Sequence, residues 1–510
     1  MADNNQKLNS SLKFLAKSSL VVLVGIFLSK IFNYLYRIII ARYFGPEVYG
    51  IFSLAFIILG LFVSVSSLGL SDGLLRFVSF YRGKKRNYNI SFIVKLSLLI
   101  SLLSSITAGV ILFSTSEIIA LGIVHNPGII PYLKVFSFLI PINVLSNLFL
   151  YLIRAYEKIG SYSFLNNVVQ YSIRLAILVL LILTGLSVNP VIASFFLSIT
   201  LLLLLSFLFC KFKLPGVFAK SLINKKQKKE LSRKLFSYSW PIIFVGVISN
   251  IFYWTDSLVL GYFKTVADVG LYNVAAPIAS LLGVAPELFM QLFFPMISFE
   301  YSRKNFPLIK ELSKQIGKWI FIINLPLFYL MLFFPQVIIN LLFGSEYLVV
   351  DNVLRMLSLA SFVGINFTIS NSLLSMIGKS RTILINFSVF TVFNLVLNIL
   401  LIPKYGMQGA AFSTVLSFFL LTLVTMFQAW KFTGVLPFRR KMLRIFFVSL
   451  IVLIPALVIR SYISLSLLGV FIFALLFFIA YSLILFFTRC LDRNDLEVLR
   501  AFKRKLGGLR

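Results

Sequence analysis

The side chains best able to do chemistry in this chain are charged and amide groups set inside long apolar runs. Lys30 and Arg37 are seven residues apart and therefore share one helix face. Asn166, Gln170 and Arg174 recur at intervals of four, and Asn143, Asn147, Tyr151 and Arg154 make a second stripe. These groups bind rather than break bonds. Ammonium and guanidinium groups flanked by amides predict a cationic, hydrogen-bonding cavity wall. Later in the chain stand Asn250 and Asp256, then Asn386, Asn394 and Asn398, then Ser413 and Thr414. A carboxylate with amide and hydroxyl oxygens nearby suits Na⁺ or a proton, and the same groups equally suit interhelical hydrogen bonds.

Catalytic signatures are missing. There is no full Gly-x-x-x-x-Gly-Lys-Ser/Thr phosphate loop, since Gly378-Lys379-Ser380 has Leu373 in place of the leading glycine, and no His/Cys cluster with metal spacing. Cys210 and Cys490 each end an apolar run and His125 lies in a connection, which predicts no disulfide framework. The expectation is a protein that is not an enzyme and needs no cofactor beyond a possible coupling ion.

Such residues need helices in a membrane to position them. Of the 510 residues, 59% are hydrophobic and 13% charged, and the mean hydropathy is +0.98. A soluble domain is about 45–50% apolar and about 25% charged. A span takes about 20 apolar residues. Runs of that kind fall at 18–40, 48–70, 91–113, 129–152, 164–185 and 187–209, and after a basic stretch at 237–261, 270–297, 316–334, 352–376, 382–402 and 408–430. Two more fall at 443–460 and 465–487. The predicted fold is an all-α polytopic membrane protein with about fourteen transmembrane helices.

The net charge of +32 would suit nucleic acid, but the cations sit in alternate connections rather than on one soluble face. Lys7, Lys13 and Lys17 precede the first run, and Arg82, Lys84, Lys85 and Arg86 follow the second. The basic stretch after the sixth run carries nine lysines and arginines from Lys211 to Lys234, and the tail carries six from Arg489 to Lys505. The intervening connections hold little beyond Arg42, Lys264, Lys404 and Arg460. By the positive-inside rule both termini and the central linker are cytoplasmic in a cell membrane.

The chain also repeats itself at an offset of about 220 residues. Tyr43-Phe44-Gly45-Pro46-Glu47-Val48-Tyr49-Gly50-Ile51-Phe52 returns, with one insertion, as Tyr262-Phe263 through Val269-Gly270-Leu271-Tyr272. Ile159-Gly160-Ser161 returns as Ile377-Gly378-Lys379, and Leu214-Pro215 as Leu436-Pro437. Six helices separate equivalent positions, so the halves share one orientation, related by a pseudo-two-fold axis along the membrane normal. This divides the chain into an N-terminal six-helix lobe (1–210), a basic cytoplasmic linker (211–236), a C-terminal six-helix lobe (237–431) and a terminal helix pair with a basic tail (432–510). The repeat aligns Arg37 with Asp256 and Arg174 with Asn394, making the first lobe cationic where the second is anionic or neutral.

An ionisable residue in a span costs about 2.5–3.5 kcal/mol to insert and usually faces a cavity or partner. Arg37 and Arg154, near helix ends, are equally able to snorkel to the interface. Arg174 and Lys30 lie deeper, which favours a cavity. Pro277, Pro286 and Pro295 in the eighth run predict a bent helix, as a gate or as a fixed kink.

Plan and residues together resemble the multidrug/oligosaccharidyl-lipid/polysaccharide exporter superfamily. The segment Arg42-Tyr43-Phe44-Gly45-Pro46, with Leu68-Gly69-Leu70-Ser71-Asp72-Gly73 and Arg76, is similar to its Wzx-type flippase branch. The resemblance implies movement of a polyprenyl-diphosphate-linked oligosaccharide from the cytoplasmic to the outer leaflet by alternating access, driven by an ion gradient or membrane potential. It implies surface polysaccharide biosynthesis, with polymerases or glycosyltransferases as partners alongside membrane lipids. On that basis Lys30, Arg37, Asn147, Arg154, Asn166, Gln170 and Arg174 would line the diphosphate and sugar cavity. The Na⁺ site of the lipid II flippases in this superfamily maps onto Asp256, Asn394, Asn398, the carbonyl of Ala410, and Thr414. Asn398 stands where that pattern has an acid, which leaves Na⁺ and H⁺ both open as coupling ion. A cation-coupled multidrug antiporter of the same fold is the alternative, and the cationic first lobe argues against it.

Overall fold

Helix covers nearly every described residue, and no strand occurs among them. The computed structural model describes residues 2–185, 188–214, 216–219, 223–436, 438–459, 467–488 and 490, with side chains, apart from a few positions, from residue 24 onward. Pro215, Pro437, Arg460 and the tail cations from Arg489 to Lys505 lie outside the described residues, as do the side chains of Lys7, Lys13, Lys17 and Pro295.

Among the described residues ten helices are long and apolar enough to cross a membrane, so the protein is an all-α, multi-pass membrane protein. Two of the ten are double-length. Helix α1 (Ala2–Ser66) breaks at Gly45, where φ 81° and ψ 175° leave the helical region just before Pro46. Helix α14 (Ser380–Thr433) breaks at Gly406 with φ 56° and ψ −134°. Positive φ is where glycine carries no Cβ penalty. Both breaks fall between apolar runs that the sequence separates.

Between them run α2 (Leu70–Gly83), α3 (Asn87–Gly122), α4 (Ile130–Ala155), α5 (Ile159–Ser163), α6 (Gln170–Thr184) and α7 (Pro190–Lys213). Then come α8 (Lys225–Phe263), α9 (Val266–Ser280), α10 (Val284–Ser302), α11 (Phe306–Phe333), α12 (Pro335–Leu342) and α13 (Asp351–Met376). Helices α15 (Arg440–Ile459) and α16 (Leu467–Phe487) end the described chain. Local chemistry sets several starts. Asn189 accepts hydrogen bonds from the N–H groups of Val191 and Ile192, with Pro190 as first helical residue, and Asn224 caps Gln227.

Packing divides the chain into two compact units. The first comprises Met1–Asn273 with Thr391–Ala410, the second Val274–Phe390 with Ala411–Arg510. In the first, α8 packs on α1 and α2. Gly69 and Gly73 form the notch: a Cβ at Gly69 would meet the Ser239 carbonyl, and one at Gly73 would stand 2.9 Å from Leu235. Small residues four apart let helix backbones approach, which lipid alone does not drive. The Arg76 guanidinium covers the Tyr238 ring at 4.2 Å on the same interface. Ser97, Ser101, Ser105 and Gly109 give α3 a buried small-residue row of the same kind, with Gly109 against the Ser137 carbonyl of α4.

In the second unit α10, α11 and α13 share an apolar core that includes Phe293, Ile297, Ile316, Ile320, Ile365 and Ile369. The expected bend in the eighth run is a 3₁₀ turn at Leu281–Gly283, between α9 with Pro277 and α10 with Pro286. Pro286 has no N–H for the Leu282 carbonyl. Asn324, fully buried on α11, donates its side-chain amide to that carbonyl at 2.7 Å. Lys318 is also fully buried on α11, so this unit encloses a cation.

Candidate functional site

The polar stripes of the first lobe meet inside the first unit. Asn33, Tyr36 and Arg37 of α1, Asn143 of α4, and Gln170, Tyr171 and Arg174 of α6 line a cavity of about 210 Å³, closed on its apolar side by Phe52, Phe56, Phe195 and Ile199. A π-helical turn, Phe164–Val169, leads into α6. Such turns are rare and cluster at functional sites. The wide turn moves Asn166 off the row of Gln170 and Arg174. Asn166 donates to Asn167 at 2.9 Å instead of lining the cavity, while its carbonyl stands 3.2 Å from the Gln170 amide nitrogen when that amide turns its oxygen toward Arg174.

Arg174 is 5% exposed. It donates through Nε to Ser198 at 3.2 Å, and its guanidinium lies 4.2 Å from the Phe195 ring centre and 5.4 Å from that of Tyr171. In the same amide orientation, Gln170 accepts from Arg174 at 3.3 Å. Arg37 donates to the Tyr49 hydroxyl at 3.2 Å, which donates in turn to the Asn273 carbonyl at 3.0 Å. Tyr36 shares its hydroxyl with Ser194 at 3.2 Å. Among the described residues no carboxylate pairs with Arg37 or Arg174. Their charges are stabilised by aromatic faces and neutral oxygens alone, an arrangement ready for an anion.

The other expected residues fall outside the lining. Lys30 is half-buried two turns before Arg37. Asn147 donates to the cavity residue Asn143 at 2.8 Å. Arg154 is exposed at the end of α4, with its guanidinium 5.7 Å from the Tyr162 ring centre. The aromatic members Tyr36, Tyr171 and Phe195 were not legible as site residues, because aromatic residues in spans read as lipid-facing or interfacial.

A second cluster surrounds Asp256, which is 8% exposed on α8. Asn398 donates to Asp256 Oδ1 at 2.7 Å and to Asn394 Oδ1 at 3.1 Å. Tyr272 donates to Asp256 Oδ2 at 2.6 Å. The expected trio of Asp256, Asn394 and Asn398 is thus in contact, and Tyr272 is an addition that only its place in the repeated segment hinted at. Asn398 Oδ1 is buried without a hydrogen-bond partner. Ala410 is buried in this unit, and Thr414 belongs to the other. Cys210 and Cys490 are buried free thiols, and among the described residues no three or more His, Cys, Asp and Glu side chains gather as a metal site.

Comparison with known proteins agrees with this architecture. A family model described as polysaccharide biosynthesis protein matches residues 15–299, and the MatE model matches residues 241–400. The chain is 31% identical to an uncharacterized membrane protein, MJ1068, of Methanocaldococcus jannaschii, over 58% of this chain and 58% of that protein. It is 30% identical to the probable low-salt glycan biosynthesis flippase Agl15 of Haloferax volcanii, over 38% of this chain and 41% of that protein. The matched region therefore spans about half the length of these two relatives. The solved lipid II flippase MurJ, in an inward closed conformation, superposes with a TM-score of 0.71 at 18% identity, covering 92% of this chain and 99% of that one, which shows a shared fold. Because the first family model takes in more than half of its length, the chain belongs to the polysaccharide biosynthesis protein family, within the multidrug/oligosaccharidyl-lipid/polysaccharide exporter superfamily.

Proposed function

We propose that this protein is a flippase that carries a polyprenyl-diphosphate-linked oligosaccharide from the cytoplasmic to the outer leaflet of the cell membrane, for surface polysaccharide assembly. The observation that carries the reading is the pair Arg37 and Arg174, both lining one cavity inside a membrane unit with no carboxylate beside them. An uncompensated guanidinium pair is costly in a membrane unless an anion uses it, and a diphosphate offers oxygens in the geometry a guanidinium fork binds. The membership of the family and the likeness to a probable glycan flippase support the same substrate class. The antiporter alternative calls for a cavity with acids for cationic drugs, and this one has none.

The rest of the reading follows from the sequence. The fourteen spans that the sequence predicts are supported by the breaks of α1 at Gly45 and of α14 at Gly406, which divide ten long apolar helices among the described residues into twelve, with α15 and α16 as the proposed last pair. The charge alternation puts both termini and the 211–236 linker in the cytoplasm. Asp256, Asn394 and Asn398, with the Ala410 carbonyl, form the proposed coupling-ion site for Na⁺ or H⁺ within the first unit. Polymerases or glycosyltransferases acting on the same glycan are the proposed partners, and no catalytic step is assigned to this chain.

The test is transport of a fluorescent lipid-linked oligosaccharide in proteoliposomes. Wild type is expected to expose the headgroup to an outside reagent with time, and R174A to do so no faster than protein-free vesicles. Unchanged transport by R174A overturns the diphosphate role.

A further inference from the structure

Beyond this cavity, a row of polar side chains continues toward the Arg154 end of α4. Asn143, at the cavity, is followed at one-turn intervals by Asn147, Tyr151 and Arg154. Eleven residues of helix place Arg154 about 16 Å from Asn143 along the axis. Tyr162 of α5 faces Arg154 at 5.7 Å, and Asp72 of α2 lies within electrostatic reach of Arg154, Tyr151 and Tyr162. Every one of these groups keeps part of its surface open: Asp72, Asn147, Tyr151 and Tyr162 are half-buried and Arg154 is exposed.

Amide and carboxylate surface does not face hydrocarbon, since each unmet polar group there costs several kcal/mol by order of magnitude. Exposed positions on the helices around the row are apolar, as at Phe138 on α4, Phe164 in the turn after α5 and Leu183 on α6, the last 79% exposed. The row therefore borders water. Its chemistry differs from that of the cavity. Asp72 balances Arg154, so the row is close to neutral, and it offers amides, phenols and one carboxylate as mixed donors and acceptors. A second phosphate has no surplus cation to bind there. A chain of hydroxyl-rich rings does find what it needs: acceptors and donors along its length and tyrosine faces for its C–H surfaces.

We infer that Asp72, Asn147, Tyr151, Arg154 and Tyr162 form a glycan-binding trough, which holds the sugars of the substrate while its diphosphate occupies the Arg37–Arg174 cavity as the leading end. This rests on the flippase reading and assigns it a second, chemically distinct subsite. Specificity for the sugar then lies in the trough, and affinity for any lipid diphosphate lies in the cavity.

The test uses full-length protein in detergent and two separate probes: inorganic pyrophosphate, and free glycan released by mild acid from the lipid-linked pool of the source cells. Both are expected to bind wild type. D72N and Y151F, the latter removing only a hydroxyl, are expected to weaken glycan binding roughly tenfold, the scale of one or two lost hydrogen bonds, with pyrophosphate binding unchanged. R174A is expected to lose pyrophosphate and keep the glycan. Glycan binding that is absent in wild type, or unaffected by both D72N and Y151F, overturns the trough. Glycan binding that responds to these variants in a protein that never binds pyrophosphate overturns the diphosphate reading and leaves the trough standing.

Discussion

Gly50 and Gly270 pack backbone against backbone within the first unit, and the contact is reciprocal. A Cβ on Gly50 would collide with the Val266 carbonyl and stand 3.0 Å from Gly270 N. A Cβ on Gly270 would collide with the Pro46 carbonyl and stand 2.9 Å from Gly50 N. Positions 46 and 266 are as far apart as 50 and 270, so the pairing matches the internal repeat residue for residue. Two copies of one sequence segment that touch through equivalent atoms must lie about a local two-fold axis.

That contact leaves no room for a methyl group. Overpacking usually costs about 1–3 kcal/mol, and here the obstacle is a carbonyl of the main chain rather than a side chain that can turn away. G50A and G270A are each expected to lower the unfolding midpoint of the detergent-solubilised protein by several degrees. G122A, whose Cβ meets nothing within 4 Å, is the control and is expected to leave it unchanged. Equal midpoints for all three would show that the backbones separate easily.

Replacing Arg174 with Lys keeps the charge and removes the fork. Hydrogen bonds to charged groups are worth about 1.5–3 kcal/mol, so R174K is expected to slow transport roughly ten- to hundredfold with normal protein levels. Full activity in R174K would mean that charge alone suffices.

Asp256 accepts hydrogen bonds on both oxygens, from Asn398 and Tyr272, and Asn398 presents its amide nitrogen rather than its oxygen to the carboxylate. N398D restores a second acid. It is expected to make transport more steeply dependent on Na⁺ than in wild type, and D256N is expected to abolish any dependence on Na⁺ or on a pH gradient. Measuring initial rates against each gradient separates the two ions, and an unaltered dependence in D256N removes this cluster from the coupling mechanism.

Cysteines placed one at a time in the 211–236 linker are expected to resist a membrane-impermeant maleimide added to intact cells and to react once the cells are opened. Efficient labelling from outside would reverse the proposed orientation.

Much of the fold was legible because membrane helices must satisfy their own backbones, which makes apolar length and loop charge dependable signals. The repeat likewise located Gly50 and Gly270 as equivalents before any contact was visible. Other features depend on geometry that the one-dimensional pattern does not carry. An even four-residue spacing put Asn166 in line with Gln170 and Arg174, but the π-helical turn before Gln170 displaces it. The aromatic wall around Arg174 was invisible because a tyrosine facing a cavity and one facing an interface have the same letter. Lys318 sits near the start of a predicted span, and its full burial follows from helix packing that its place in the sequence does not carry. The sequence by itself determined an all-helical membrane chain, its repeat, and the chemistry of its embedded polar groups, since hydrophobicity and charge act residue by residue. Only the tertiary structure decided which of those groups meet: Arg37 with Arg174 around one cavity, and Asp256 with Tyr272 and Asn398. Such pairings arise from how distant helices rotate and kink as they pack, and that is a property of the assembled unit.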